Sequence, residues 1–316
     1  MKKIITVGNG RQKLPLKRST KRTIFYCLMM AIPVLQFCIF YIYVNLSAVS
    51  MAFKTYTETD RGYVSVFAGF ANFVAIFKML AVGNNMDMIW TSLAAAGITF
   101  AITMPLSLLF SYYLYKKFPL HGFFRIILFL PQVVSTVVMT LLFQYIVTDV
   151  YIALTGKEFG LLGRPESKYA TLLFYNLWVG FGVNVLIYTG AMSGINESIV
   201  ESAQLDGVNS LQEFWHITFP MIFPTFITFL ITSIAGIFSN QLNLYTFFQQ
   251  NSDIKTVGYY LFLQALESGP VSFVTPTVTY LSYPEVSAFG LMITAVIFPL
   301  TMLVRHLLQK FGPRVD

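Results

Sequence analysis

The residues of this chain best suited to chemistry are uncharged. From Ser239 to Gln250 the sequence runs Ser-Asn-Gln-Leu-Asn-Leu-Tyr-Thr-Phe-Phe-Gln-Gln, with amides, hydroxyls and aromatic rings interleaved at the end of an apolar region. That mixture suits a neutral polyol, because hydroxyls need both donors and acceptors while the C–H faces of a sugar ring stack on aromatic rings. Asn240, Asn243 and Tyr245 are the candidate contacts in it, whereas Gln249 and Gln250 read as boundary residues that end the span. Upstream, Asn184 and Tyr188 stand four apart and so share one helical face. That face either lines a sugar path or makes hydrogen bonds between helices.

Other chemistries lack their residues. No G-x-x-x-x-G-K-[ST] phosphate loop and no H-E-x-x-H occurs, and the two cysteines and three histidines show no zinc-like spacing. No pair of acids is embedded in an apolar stretch, as a proton-driven carrier or an intramembrane hydrolase would require. The chain is therefore expected to be no enzyme, to hold no metal or cofactor, and not to hydrolyse ATP itself.

These polar groups must be positioned inside a bilayer. Of the 316 residues 56% are hydrophobic and 11% charged, far from the balance of a soluble domain. Apolar runs near 24–46, 89–112, 126–147, 169–194, 221–242 and 285–304 each approach the ~20 residues that cross a hydrocarbon core. The expectation is an all-α membrane protein with six transmembrane helices and both termini cytoplasmic. It divides into a basic tail over 1–23, one transmembrane domain over 24–309 and a short tail over 310–316. The run at 63–82 is also apolar enough to cross. Crossing there would place Lys116, Lys117 and the basic C-terminus outside, so an interfacial helix is expected instead.

The net charge of +7 follows topology rather than nucleic acid, since the basic residues sit at span ends and in the tail. Lys2, Lys3, Arg11, Lys13, Lys17, Arg18, Lys21 and Arg22 precede the first run with no acid among them. That run is too long for a signal-peptide core, so an uncleaved span is expected. Cys27 and Cys38 lie in the same span, about 16 Å apart at ~1.5 Å per residue, and cannot pair there. Gly190 and Gly194 form a GxxxG that predicts close packing between spans, and Pro105 and Pro131 predict kinks.

The segment 196–220 is the exception to the charge bias. It carries Glu197, Glu201, Asp206 and Glu213 but no Lys or Arg, so its acids point to basic groups on a protein partner. Ser198 with Glu201 and Ser210 with Glu213 have capping-box spacing, and Asp206-Gly207 lies between them. Two short helices with a corner at Gly207 are predicted.

At this segment a family resemblance enters. Glu201-Ser202-Ala203, Asp206-Gly207, Phe214-Trp215, Ile217, Pro220 and Pro224 resemble the EAA loop of the membrane subunits of bacterial ABC importers, in the carbohydrate-uptake branch typified by maltose permeases. Ser202 and Val208 depart from the usual wording. Gly69, Asn72 and Phe73 are similar to that family's F-x-G-x-x-N-F signature, Phe123-Phe124-Arg125 with Pro131 and Tyr283 to Gly290 to further family segments, and Phe238-Ser239-Asn240 to its sugar-lining stretch. The resemblance runs from about residue 69 to the end. It implies the type I ABC importer permease fold and a place in the bacterial inner membrane. It implies a coupling helix seated in a separate ATPase subunit, with Glu201 bonding to the cleft, Gly207 permitting the corner, and Phe214, Trp215 and Ile217 packing. The partners it implies are a second permease, two ATPase subunits that hydrolyse ATP and an extracellular solute-binding protein, with a sugar as cargo. The alternatives are a non-sugar cargo such as a glycerol phosphodiester, and a membrane enzyme acting on lipid-linked sugars.

Overall fold

The computed structural model describes residues 18–60, 62–82, 85–274 and 279–313. Most of the basic tail, together with Arg61, Pro276 and Arg314, falls outside them. The chain divides into two units, Met1–Met51 and Ala52–Asp316. The first is helical from Arg18, with Pro33 inside the helix and a wider turn over Phe37–Tyr43; Cys27 and Cys38 in it are free thiols.

Six helices among the described residues are long and apolar enough to cross a membrane: Lys21–Ala52, Asn85–Tyr115, Thr136–Thr155, Pro165–Ser193, Ser210–Ala235 and Tyr283–Phe311, the first to sixth spans. The expectation of a helical membrane protein with six spans holds, with short strand pairs outside the spans. Their bounds differ from the apolar runs in informative ways. The third span starts later than 126, because the chain breaks at Val134 and Ser135, three residues beyond Pro131; the preceding helix, His121–Val133, is too short to cross. The fifth span ends at Ala235, and 236–243 is irregular, with Leu242 and Asn243 in the left-handed region.

The stretch at 63–82 is only half helical, which corrects the interfacial-helix expectation. Lys54–Thr59 and Gly62–Phe67 pair antiparallel in a hairpin, and a helix follows over Ala71–Ala81. β-branched and aromatic residues, among them Thr55, Thr57, Tyr63, Val64 and Val66, favour the pleated ribbon over a helix. Asn72 ties the two parts together: its buried amide donates to the carbonyls of Ala52 (2.8 Å) and Lys54 (2.7 Å).

The second and fourth spans form the frame for the rest. Ser111 donates to the carbonyl of Val185 at 2.9 Å, and Phe110 meets Phe181 edge to face at 5.4 Å. Two apolar cores lie along them. One gathers Phe143, Tyr175, Leu242 and Phe247; the other gathers Met104, Tyr112, Tyr188, Phe214 and Ile222.

The glycine that brings a span close to a neighbouring helix is not in the GxxxG. A β-carbon on Gly190 would meet nothing within 4 Å, whereas one on Gly182 would lie 1.8 Å from the carbonyl oxygen of Leu128. Small residues at helix contacts let backbones approach in a membrane, and here the approach is at Gly182. Gly182→Val is expected to lower the thermal unfolding temperature of the purified protein, at an overpacking cost of about 1–3 kcal/mol, while Gly190→Val leaves it unchanged.

Candidate functional site

Two sites can be built from the residues upward, an elbow at one end of the spans and a polar cavity between them.

The elbow begins with the helix Glu197–Leu205. Its cap is Asn196, whose side chain accepts from the Ser198 amide at 3.2 Å, so Ser198 is inside the helix rather than capping it. The second cap is also earlier than the spacing of serine and glutamate suggests, by one residue where the first is earlier by two. Asn209 and Gln212 exchange reciprocal bonds of 2.9 and 3.1 Å. Asparagine caps at least as well as serine, and Asn196 stands two places upstream of Ser198, Asn209 one place upstream of Ser210. Between the helices Gly207 has φ +79°, and the amides of Gly207 and Val208 donate to the carbonyls of Gln204 and Ala203, both at 3.1 Å. The corner is where the sequence places it. The second helix is no separate piece, however: it runs from Ser210 through a wide turn at Phe214–Thr218 into the fifth span.

Glu213 does not face outward, which corrects the expectation that all four acids await a partner. It is 2% exposed and forms an ion pair with Lys116 at 2.6 Å. Around the pair, the Tyr112 hydroxyl donates to the Ser210 carbonyl at 2.8 Å, and its ring meets Phe214 at 5.1 Å. Ala203 and Phe214 are buried, Ile217 and Pro220 half-buried, and Glu201, Asp206, Gly207 and Trp215 exposed. Asp206, Gly207, Gln212, His216 and Ile217 line an open hollow on the elbow. Leu205, 90% exposed, and Leu211 add apolar groups to that surface that the acidic pattern did not suggest.

The cavity, of about 230 Å³, joins the second, fourth and fifth spans. Asn184 and Asn240 both line it, although 56 positions separate them in the chain. The other candidate contacts lie elsewhere. Tyr188 is fully buried, its hydroxyl donating to the Met104 sulfur at 2.9 Å and its ring packed on Phe229 at 4.9 Å. Asn243 donates to the Asn176 side chain at 2.8 Å, and Asn176 in turn donates to the Leu242 carbonyl at 3.0 Å, an amide pair that holds the irregular segment. Tyr245 meets Phe262 edge to face at 4.9 Å.

Ser92, Thr99, Thr103, Ser233 and Thr256 line the cavity without having been found as single residues. A signal for the second span existed: Thr99, Thr103, Ser107 and Ser111 recur every four positions, which marks one helical face. Phe100, Met104 and Phe229 supply apolar walls, and none of the lining side chains is ionisable. The arrangement can hydrogen-bond and stack against a neutral ligand. It offers no group for acid–base or nucleophilic catalysis.

Six helices able to cross a membrane, with a neutral polar cavity among the second, fourth and fifth and a polar elbow leading into the fifth, fit a transport permease. Residues 97–316 match the model of the family described as binding-protein-dependent transport system inner membrane component, and the chain belongs to that family. It is similar to the arabinooligosaccharides transport system permease protein AraP of Bacillus subtilis, 26% identical over 79% of this chain and 83% of that protein. It is also similar to the multiple sugar-binding transport system permease protein MsmF of Streptococcus mutans, 25% identical over 72% of this chain and 81% of that protein. Its fold matches a chain of a bacterial alginate ABC transporter solved in complex with an alginate pentasaccharide-bound periplasmic protein. The TM-score is 0.71 and the identity 19%, over 95% of this chain and 99% of that one.

Breaking a buried ion pair leaves an uncompensated charge, at a cost of about 3–5 kcal/mol, whereas replacing both partners by apolar groups is close to neutral. Glu213→Gln should therefore lower the thermal unfolding temperature markedly, and Lys116→Met with Glu213→Leu should recover most of the loss. An equal loss in single and double variants would show that the pair does not pin the elbow.

Proposed function

We propose that this permease translocates a sugar or oligosaccharide, handed over by an extracellular binding protein, through the cavity at Asn184 and Asn240. The observation that carries the reading is the chemistry of the lining: amides, hydroxyls and aromatic rings with no ionisable side chain. A phosphodiester cargo would call for Arg or Lys there, since a phosphate is held by charge-assisted bonds. The sugar-transport names of AraP and MsmF point the same way. At about 230 Å³ the cavity is smaller than the roughly 300–1,000 Å³ typical of ligand pockets. A second permease across from it completes the walls of the path.

The elbow is the contact for one of two partner ATPase subunits, which bind and hydrolyse the ATP. In this reading Glu201 and Asp206 meet basic groups of the ATPase. Trp215, Leu205 and Leu211 supply apolar contact, and Gly207 holds the corner. Ala203, Phe214, Ile217 and Pro220 pack the elbow onto the chain's own spans. Because the second elbow helix continues into the fifth span, a push on the elbow is delivered directly to a wall of the cavity.

Uptake of a panel of radiolabelled sugars into cells with and without this chain tests the cargo. Uptake of at least one neutral sugar is expected to depend on the chain, and dependence of glycerol phosphodiester uptake alone would sink the reading. Gly207→Val forces a β-branched residue into the left-handed region, and transport coupled to ATP is expected to fall by an order of magnitude. Unaltered uptake by that variant in a normally assembled complex would remove the coupling role.

A further inference from the structure

Elsewhere along the spans, hydroxyls are spent on the helix itself. Ser92, Thr140, Thr171, Thr189, Thr232 and Thr294 each donate to the carbonyl one turn back, at 2.7–2.8 Å. That local bond is the ordinary way to satisfy a hydroxyl in hydrocarbon. Thr99, Thr103 and Ser107 do not make it. Their hydroxyl oxygens are buried and have no hydrogen-bond partner. Among the described residues the other buried hydroxyls so left are Thr218 and Ser268, which stand apart from one another.

The three form a stripe. They recur every four residues of the second span, so they climb one face over about 12 Å at ~1.5 Å per residue. Thr99 and Thr103 line the polar cavity with Asn184 and Asn240, and Ser107 lies one turn closer to the elbow. At the next turn the pattern ends: Ser111 donates to the Val185 carbonyl and joins the frame. A buried hydroxyl without a partner is costly, and its cost per group rises in a membrane interior. Three such groups in register, starting at a cavity and leading toward the elbow, are groups waiting for a ligand.

We propose that Thr99, Thr103 and Ser107 are cargo-reading hydroxyls, a second polar wall that bonds a polyol as it leaves the Asn184–Asn240 face for the elbow side. This rests on the sugar reading above and adds to it. The cargo must present several hydroxyls along one edge, as a sugar chain does, and the contacts form only once the spans shift and uncover the stripe. In the state described here the oxygens are covered, so they contribute to transport and not to resting affinity.

The test uses the whole transporter in proteoliposomes, with loaded binding protein at saturation, and measures both uptake of radiolabelled sugar and ATP hydrolysis. Thr99→Val with Thr103→Val keeps the shape and deletes both hydroxyls. We expect sugar uptake per ATP hydrolysed to fall about tenfold, from two lost hydrogen bonds. We also expect assembly to be normal and the thermal unfolding temperature to be unchanged or raised, because unsatisfied buried groups have gone. Thr103→Ser, which keeps the hydroxyl, should retain uptake, and Thr294→Val on the sixth span should change nothing. Unchanged uptake by the double valine variant overturns the inference and leaves the sugar reading standing. Loss of the second permease from the complex assigns the hydroxyls to a subunit contact and also overturns it. If the unaltered transporter moves no sugar of the panel, both readings fall.

Discussion

The ion pair between Lys116 and Glu213 is the interaction on which the working geometry depends. Lys116 follows the second span directly, and Glu213 stands at the start of the helix that becomes the fifth. A carboxylate that is 2% exposed must keep its counter-charge, because the penalty for an unpaired buried charge far exceeds what the pair itself contributes. The pair thus acts as a constraint on register. It fixes the rotation of the Ser210 helix, which aims Phe214 inward at Tyr112 and leaves Trp215 outside. Rings of Tyr112 and Tyr115 also lie about 6 Å from the ammonium, and they shield it from water.

From that pinned start two cavities lie back to back on the second span. An apolar one, of about 320 Å³, is lined by Pro105, Leu108, Phe214, Trp215 and Phe219, and it shares Phe100 and Met104 with the polar cavity. Met104 also receives the Tyr188 hydroxyl, so one thioether touches the wall of both spaces and the packing of the fourth span. Methionine is suited to such a place, since an unbranched chain can repack without strain. Pro105 lies beside it and removes one backbone bond from the helix, which lowers the cost of bending there. A displacement of the elbow rings into the apolar space has somewhere to go. What it presses on is the wall of Phe100 and Met104 that the two spaces share.

Much of this was legible in the chain, and what was not has physical reasons. The corner at Asp206-Gly207 could be read because only glycine adopts φ +79° without strain. The caps were misplaced, by two residues at Asn196 and by one at Asn209, because serine and asparagine compete for the same role and both asparagines lie just upstream of the serines. The hairpin at 54–67 was hidden because its second strand, Gly62–Phe67, opens the continuous apolar run 63–82, in which periodicity does not separate strand from helix. The partnership of Lys116 with Glu213 crosses 97 positions, and nothing local announces it. The partners of two candidate contacts were hidden for the same reason: Asn243 donates to Asn176 across 67 positions and Tyr188 to Met104 across 84. Type and spacing tell which residues can bond a ligand; only packing tells which remain free to.

The neutrality of the cavity carries its own consequence for transport. A charged lining would hold a hydroxylated cargo through bonds worth roughly twice the neutral kind, and would demand a comparable charge to balance it in the membrane. Amides and hydroxyls bind each polar group of a neutral ligand for about 1 kcal/mol net, so affinity grows with the number of groups engaged rather than with any one contact. Such a surface can hold a chain firmly when several contacts are aligned and lose it when a small shift breaks the alignment. That is the behaviour a carrier needs, since a site that bound tightly in every state would not release. The helix that walls this cavity is the one that Lys116 and Glu213 keep in register, so a buried charge pair bears on a cavity whose described lining carries no charge.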